Sequence, residues 1–385
     1  MYCLERMPKT NLKNRKGVIY YEKTCSFPLP RPLRGALSGT EQETSIYAEL
    51  QSKDVNMGIR IAGTGSYAPE KILTNADIEK LVDTNDEWIR TRTGIEERHV
   101  AGPDETSSTM AIRAAEKALA QAGVDGQDID AIIVATISPD YIFPNTGALI
   151  QHHFQCKKAF CFDLSAACAG FVSSLEVGFS LMRSFPQKYR NVLVCGSDKL
   201  SVIVDWTDRN TCILFGDGAG CALLQNDGTP GPDAVLASSL HADGGYTDVL
   251  RIPAGGSHTP ASVESVQARQ HFIYMEGRET FKLAVNAMVS SAEEALAQAG
   301  VTVDQVALVI PHQANLRIIQ AVAKRLGVED GRVFCNIRQY GNTSSASIGI
   351  ALDEACRSGR IKRGDLVLFT SFGGGLAWGS MLIRY

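Results

Sequence analysis

One heptapeptide occurs twice in this chain. Ala118-Leu119-Ala120-Gln121-Ala122-Gly123-Val124 returns as Ala295-Leu296-Ala297-Gln298-Ala299-Gly300-Val301, 177 residues later. Both copies end an alanine-rich stretch at a glycine, the residue that most readily takes the left-handed conformation closing a helix. An apolar strand pattern follows each, at 131–135 and 306–310. Phe160-Cys161 is then matched by Phe334-Cys335, 174 residues on. Each pair leads into a turn of small residues, a predicted helix (near 169–182 and 345–357) and a buried-type strand (191–195 and 365–370). Matching order over roughly 80 residues disfavours chance recurrence of an Ala/Gln/Gly string. The 385 residues are therefore expected to hold two similar halves packed about a pseudo-dyad. Alternating strand and helix makes the fold α/β with largely parallel central strands.

Residues 1–56 stand apart from this pattern. They carry nine Lys/Arg against six Asp/Glu, so the remainder of a chain of net charge −4 is acidic. Pro28-Leu29-Pro30-Arg31-Pro32 is linker-like, because proline fixes φ and restricts its predecessor. The segment lacks an apolar secretory core, and its scarce serine argues against a transit peptide. It is expected to be a tail, disordered or outside the working protein. The halves are then 57–230 and 231–385. The acidic balance disfavours a nucleic-acid binder, and no apolar run is long enough to span a bilayer.

The sequence holds ten cysteines, none in a C-x-x-C pair, so zinc-ribbon and thioredoxin chemistry lose their basis. Nor does any histidine spacing suggest a metal site. Most cysteines sit in apolar runs and read as small buried hydrophobes. Cys168 differs. It lies in Ser165-Ala166-Ala167-Cys168-Ala169-Gly170 at a strand-to-helix junction, where a helix N-terminus would favour thiolate. A buried cysteine in a tight contact is the competing reading. His312, in Pro311-His312-Gln313-Ala314-Asn315, leaves an apolar strand and is suited to proton or hydrogen-bond work near neutral pH. Asn342 lies in Gly341-Asn342-Thr343-Ser344-Ser345, by itself an ordinary turn. The repeat, however, makes that turn the counterpart of the one carrying Cys168. Loops at the carboxyl ends of strands 160–164, 306–310 and 334–338, and the glycines of 372–375, would then converge on a Cys-His-Asn constellation. Phe215-Gly216-Asp217-Gly218-Ala219-Gly220 lacks the ending of a phosphate loop and reads as close packing.

Taken together, these strings resemble the β-ketoacyl-[acyl-carrier-protein] synthase III family, the initiating condensing enzymes of type II fatty-acid synthesis. The resemblance runs from about Met57 to Tyr385. It includes Asp83-Thr84-Asn85-Asp86-Glu87-Trp88-Ile89, Thr91-Arg92-Thr93-Gly94-Ile95, the Cys168 string, Trp206-Thr207-Asp208-Arg209 and the His312, Asn342 and Phe372 motifs. It implies the thiolase fold, two βαβαβαββ halves in five layers α-β-α-β-α, usually as a homodimer. It also implies a decarboxylative Claisen condensation of an acyl-CoA primer, by default acetyl-CoA, with malonyl-acyl carrier protein, without a cofactor. By resemblance Cys168 is the nucleophile, and the amides of Cys168 and Gly374 form the oxyanion hole. His312 and Asn342 hold the malonyl thioester carbonyl. Thr84, Trp88, Arg92, Arg209 and Asn315 bind CoA, and Phe372 keeps the site apolar. Phe143 bounds the partner's acyl pocket. Arg317, Lys324 and Arg325, with Lys282, form a basic face for the acidic carrier protein, with an ordinary solvated stripe as the alternative. Leu376-Ala377 replaces the family's usual aromatic and threonine. A cytoplasmic location is expected, or an organellar one if the extension is a transit peptide. Starter synthesis for a secondary metabolite and a silent acyl-CoA-binding protein remain as alternatives. A degradative thiolase is disfavoured because the terminal glycine cluster has no cysteine, and a chain-elongating synthase because Asn342 stands where a second histidine would.

Overall fold

The computed structural model describes residues 57–229 and 231–385, so the expectation for 1–56 lies outside the described residues. The first half runs β1 (Arg60–Tyr67), α1 (Asp86–Thr93), α2 (Ser107–Ala122), β2 (Ala131–Ala135), α3 (Thr146–Phe154), β3 (Phe160–Leu164), α4 (Gly170–Ser184), β4 (Asn191–Asp198) and β5 (Gly218–Gln225). The second runs β6 (Val235–Ala242), α5 (Gly277–Ala299), β7 (Leu308–Pro311), α6 (Leu316–Leu326), α7 (Ala346–Arg357), β8 (Leu366–Gly373) and β9 (Ala377–Arg384). The repeated heptapeptides close α2 and α5, and Gly123 and Gly300 take φ 68° and 64° as the left-handed caps that glycine permits.

The sheets repeat as the sequence does. The first has order β1-β5-β4-β2-β3 and the second, read from its far edge, β6-β9-β8-β7. In the fifth place the second half has only one bridge, Val333 beside Val309. The expected strand at 334–338 is absent, and 337–340 form a short helix instead. The side chain of Gln313 accounts for the break: its Nε2 donates to Phe334 O at 3.2 Å and its Oε1 accepts from Asn336 N at 3.0 Å. A side chain thus satisfies backbone groups that a ladder would otherwise pair.

The expectation of largely parallel strands is corrected. β2 runs parallel to β3 and β4, and β7 to β8, but the other four pairings are antiparallel. The cause is that the last two strands of each half are joined without a crossover helix, which obliges them to run antiparallel.

Both faces of each sheet are covered, so the strands read as continuous apolar runs. Alternate residues serve different layers: Ile133 and Val194 face a central core with Val172 and Leu175 of α4, Ile348 and Leu352 of α7, and Ile310 and Phe369 of the second sheet. Ile132 and Leu193 point the other way, onto Met110 and Ala114 of α2. Val309 and Leu368 meet Met288 and Val322 of α5 and α6. This is the five-layer α-β-α-β-α arrangement of the thiolase fold. Each fully buried Ile, Leu or Phe contributes about 1.5–3 kcal/mol. The central layer requires small residues: a Cβ on Gly220 would lie 2.4 Å from the Gly349 carbonyl carbon. The 215–220 cluster is therefore close packing, as its sequence suggests. The layering brings the starts of α4 and α7 and the ends of β7 and β8 to one end of the molecule.

Candidate active site

Cys168 sits in a single 3-10 turn, Ala167–Ala169, between β3 and α4. Ala167 takes φ 45°, a left-handed conformation costly for a residue with a Cβ. The turn is pressed from the other side by β8, where a Cβ on Gly373 would lie 2.6 Å from the Cys168 amide nitrogen. Only a hydrogen fits there. Cys168 is 8% exposed, and its Sγ donates to Ser344 Oγ at 3.5 Å. Burial pushes the thiol up to about 12, with the Asp198 charge adding to the rise and Ser344 opposing it. The expectation of a dipole-favoured thiolate is therefore overturned by desolvation: in this state Cys168 is a neutral thiol. Of the elbow amides, Ala169 N donates to Ala166 O at 3.0 Å and Gly170 N to Ala167 O, so the Cys168 N–H is the one that could serve an oxyanion.

His312 follows β7 and is 2% exposed. Its backbone N–H donates to Thr370 O at 2.8 Å, and its Nδ1 lies 2.6 Å from Ser347 Oγ on α7. The Gln313 N–H also donates to that oxygen, at 3.4 Å; where the Ser347 hydroxyl proton is directed at Nδ1, the ring proton sits on Nε2. Burial lowers His312 to about 3, so the imidazole is neutral. Asn342 is fixed by its backbone, N–H to Leu214 O at 2.8 Å and C=O from Gly216 N at 3.0 Å. Its Oδ1 accepts from Ser344 N at 2.9 Å, which leaves the Nδ2 hydrogens for the site.

Cys168, His312, Asn342, Phe372 and Gly374 line one cavity of about 450 Å³, with Phe281 and Met288 among its apolar walls. Asn315 also lines it, linking the chamber to a polar approach. There Trp88, on α1, is flanked by the guanidinium carbons of Arg92 and Arg209, 5.4 and 5.0 Å from its ring centre. Asn315 Nδ2 donates to Arg92 O at 3.1 Å, and Arg209 donates to Asp83 O at 3.0 Å. Thr84, beside Asp83, holds a buried Oγ1 with no hydrogen-bond partner among the described residues. Trp88, Arg92, Arg209 and Asn315 thus form one connected group, and Thr84 follows Asp83, the residue that Arg209 bonds. Arg317 stacks over Phe281, Arg325 donates to Asn286, and Lys282 and Lys324 are exposed, so the four cations follow the α5–α6 seam from the cavity wall outward. Phe143 is 85% exposed and is not among the residues lining this chain's cavity.

Sequence reasoning passed over three residues that hold this geometry: Ser344, Ser347 and Asp198. Buried at the end of β4, Asp198 accepts from Thr136 Oγ1, Ile137 N and Ser138 Oγ on one oxygen and from Ser345 N and Oγ on the other. Desolvation raises its carboxyl, and the bonds from Ser345 Oγ, Ile137 N, Ser138 Oγ and Ser345 N pull it back. A lone acid ending the apolar run Val192-Leu193-Val194-Cys195-Gly196-Ser197-Asp198 was the available signal. Among the described residues no cluster of His, Cys, Asp or Glu could hold a metal ion, and no helix is long and apolar enough to cross a membrane.

The family model for 3-oxoacyl-[acyl-carrier-protein] synthase III matches residues 162–244, and that for the C-terminal part of such synthases matches 296–385. A β-ketoacyl-[acyl-carrier-protein] synthase III of Chlamydia pneumoniae is 49% identical over 333 residues, covering 86% of this chain and 98% of the relative. One from Roseiflexus castenholzii is 50% identical over 325 residues, covering 84% and 97%. The crystal structure of the Aquifex aeolicus 3-oxoacyl-[acyl-carrier-protein] synthase III superposes with a TM-score of 0.78 at 47% identity, covering 85% of this chain and all of that one.

Proposed function

The chain belongs to the β-ketoacyl-[acyl-carrier-protein] synthase III family, the acyl-transferring condensing enzymes that initiate fatty-acid synthesis, and from that premise we propose how its own residues carry the reaction. Cys168 Sγ attacks the thioester carbonyl of acetyl-CoA. The amides of Cys168 and Gly374 hold the resulting oxyanion, the strongest single contribution such a site can make. The intermediate collapses to an acetyl-thioester on Cys168, and the thiol proton leaves with CoA. Malonyl-acyl carrier protein then enters with its thioester carbonyl against His312 Nε2–H and Asn342 Nδ2–H. Loss of CO2 leaves an enolate on that oxygen. Its carbon attacks the acetyl-enzyme carbonyl, the C–S bond breaks to give the 3-oxoacyl product, and the Cys168 thiolate so released takes a proton from solvent.

The observation supporting this reading is that Cys168, His312 and Asn342, from three separate segments, line one apolar cavity, with His312 Nδ1 against Ser347 Oγ and Asn342 Oδ1 against Ser344 N, which leaves Nε2 and Nδ2 for a substrate. Neutral donors suit the task. They stabilise negative charge formed in the transition state without binding the malonyl carboxylate that must depart. Trp88, Arg92 and Arg209 would grip the nucleotide end of CoA, with Thr84 Oγ1 and Asn315 as further polar contacts. Arg317, Lys324, Arg325 and Lys282 would receive the carrier protein. Phe143, exposed on its loop, would reach the acyl pocket of a second copy in a homodimer.

Intact-mass spectrometry after incubation with acetyl-CoA tests the first half-reaction. The expected result is a single acetyl adduct on wild type and none on Cys168→Ala; an adduct persisting in Cys168→Ala would sink the mechanism. Branched and longer primers in the same experiment establish chain-length preference.

A further inference from the structure

Arg98 is the largest fully buried side chain of the described residues, and it is charged. No carboxylate stands within ion-pair distance of it there. Burial lowers its guanidinium to about 10, which leaves it a cation at neutral pH. Such a group is expensive to bury, and an apolar residue of similar volume would fill the space at lower cost. What an apolar residue would not supply is a planar fork with donors at fixed angles. The fork is used. Nη1 donates to Asn75 Oδ1 at 2.9 Å and to Leu73 O at 3.3 Å, and Nη2 donates to Ile213 O at 2.8 Å.

Each arm ends at a different part of the site. Asn75 spends its other end on α1: its Nδ2 donates to Asp86 Oδ1 and to Ile95 O, both at 2.8 Å. Those acceptors bracket the helix that carries Trp88 and Arg92, one at its first residue and one just past its closing glycine. The other arm holds Ile213, and the next carbonyl, Leu214 O, receives the Asn342 N–H. The stem of Arg98 props the same turn. A Cβ on Gly341 would lie 3.3 Å from the Arg98 Cβ, and one on Gly216 would lie 3.1 Å from it. Nothing in the condensation touches Arg98, yet both hydrogen-bonding arms and the stem reach elements that do.

We infer that Arg98 is a positioning residue that couples the coenzyme-binding helix α1 to the Asn342 turn, fixing the distance between the acyl-CoA grip and the enolate-holding amide through one guanidinium. The inference rests on the proposed roles of Trp88 and Asn342. It predicts a kinetic pattern that a merely structural arginine would not give. Arg98→Met, which keeps the bulk and removes the fork, should raise the KM for acetyl-CoA and lower CO2 release from malonyl-acyl carrier protein, each by about tenfold, the scale of a lost charged hydrogen bond. Arg98→Lys should move both in the same direction, because a single ammonium cannot reproduce the planar fork. Asn75→Ala cuts one arm, so its effect should fall chiefly on the acetyl-CoA KM.

The experiment measures both half-reactions and the melting temperature for these three variants and for Trp88→Ala. Folded Arg98 variants with both parameters within twofold of wild type would overturn the coupling, as would a lowered melting temperature with unchanged kinetics. If Arg98→Met does not fold, Asn75→Ala decides: a raised acetyl-CoA KM supports the coupling and a flat one overturns it. Should Trp88→Ala leave that KM unmoved, the coenzyme reading of α1 fails and takes the coupling with it. A raised KM in Trp88→Ala beside a flat one in Asn75→Ala and Arg98→Met overturns the coupling alone.

Discussion

Ala167 and Ser344 lie 177 residues apart, the period of the heptapeptide repeat, and both hold left-handed backbone, with φ of 45° and 51°. The same elbow is thus built twice without glycine. A Cβ in that conformation costs roughly 1 kcal/mol or more at each position, sustained by the packing around it. The next residue is Cys168 in one half and Ser345 in the other. Ser345 spends its hydroxyl on Ala135 O and Asp198, at 2.8 and 2.6 Å, whereas Cys168 faces the cavity. One elbow presents a nucleophile; the other presents Ser344 to it.

Ser344 is expected to tune that nucleophile. Its hydroxyl, turned to donate to the sulfur once the thiol proton has left, is the main influence drawing the buried thiol down against desolvation. Ser344→Ala removes it, so the thiol should rise further and alkylation of Cys168 by iodoacetamide at pH 8 should slow about threefold to tenfold, the scale of one weak hydrogen bond. The melting temperature should change little, since Ala keeps the Cβ already tolerated there. An alkylation rate equal to wild type would show that the 3.5 Å contact does not act on the thiol.

Gly373 should tolerate no side chain. The Cβ of Gly373→Ala would meet the Cys168 amide nitrogen at 2.6 Å and the Ala167 Cβ at 3.0 Å, and the first of these contacts is backbone that cannot rotate away. Either β8 or the elbow must shift, and a misplacement near 1 Å costs about a hundredfold in such a site. Acetyl-enzyme formation measured by rapid-quench mass spectrometry should fall by at least that factor, with the protein still folded. Acetylation within tenfold of wild type would contradict this geometry.

The repeat made the two-half architecture legible, because it fixed where helices close and which turns correspond. Its matching turns also pointed to Cys168 and Asn342. Three things were not legible. The missing strand at 334–338 depends on Gln313, whose side chain reaches across space to Phe334 and Asn336. The neutral state of Cys168 depends on how deeply the elbow is enclosed, a property of the whole fold that opposes the local helix dipole. Arg98, in the polar string Glu96-Glu97-Arg98-His99, is buried where Gly216 and Gly341 arrive from distant segments to cover its stem.

Asp198 should prove chiefly structural. It gathers five donors from the loop after β2 and from the start of α7, tying the two halves behind the site. Asp198→Ala leaves four of these donors without an acceptor in a buried setting, Ser345 Oγ keeping Ala135 O, a loss on the order of 3–5 kcal/mol. Asp198→Asn keeps one acceptor oxygen and should lose less. Urea unfolding at pH 7 measures both, and an Ala variant within 1 kcal/mol of wild type, a loss well under the ~3–5 kcal/mol expected, would refute the tie.

His312 gives the fold an acid sensitivity whose sign follows from its burial. Its folded value is lowered to about 3, below the unfolded value of about 6.5, so between these limits the unfolded chain binds a proton that the folded chain refuses. The associated stability is fully present above pH 6.5 and is lost as pH falls toward 3, by about 1.4 kcal/mol per unit. From pH 7 to pH 5 the loss is about 2 kcal/mol. Asp198 and the other carboxyls also contribute to the pH dependence of wild type, so the absolute slope does not isolate the histidine. The difference between wild type and His312→Gln does, because both proteins carry the same carboxyls. Unfolding free energies at pH 7 and pH 5 should therefore fall about 2 kcal/mol less in His312→Gln than in wild type. Equal losses in the two proteins would mean that His312 takes its proton in the folded state, and the neutral Nε2 donor assigned to enolate stabilisation would fall with it.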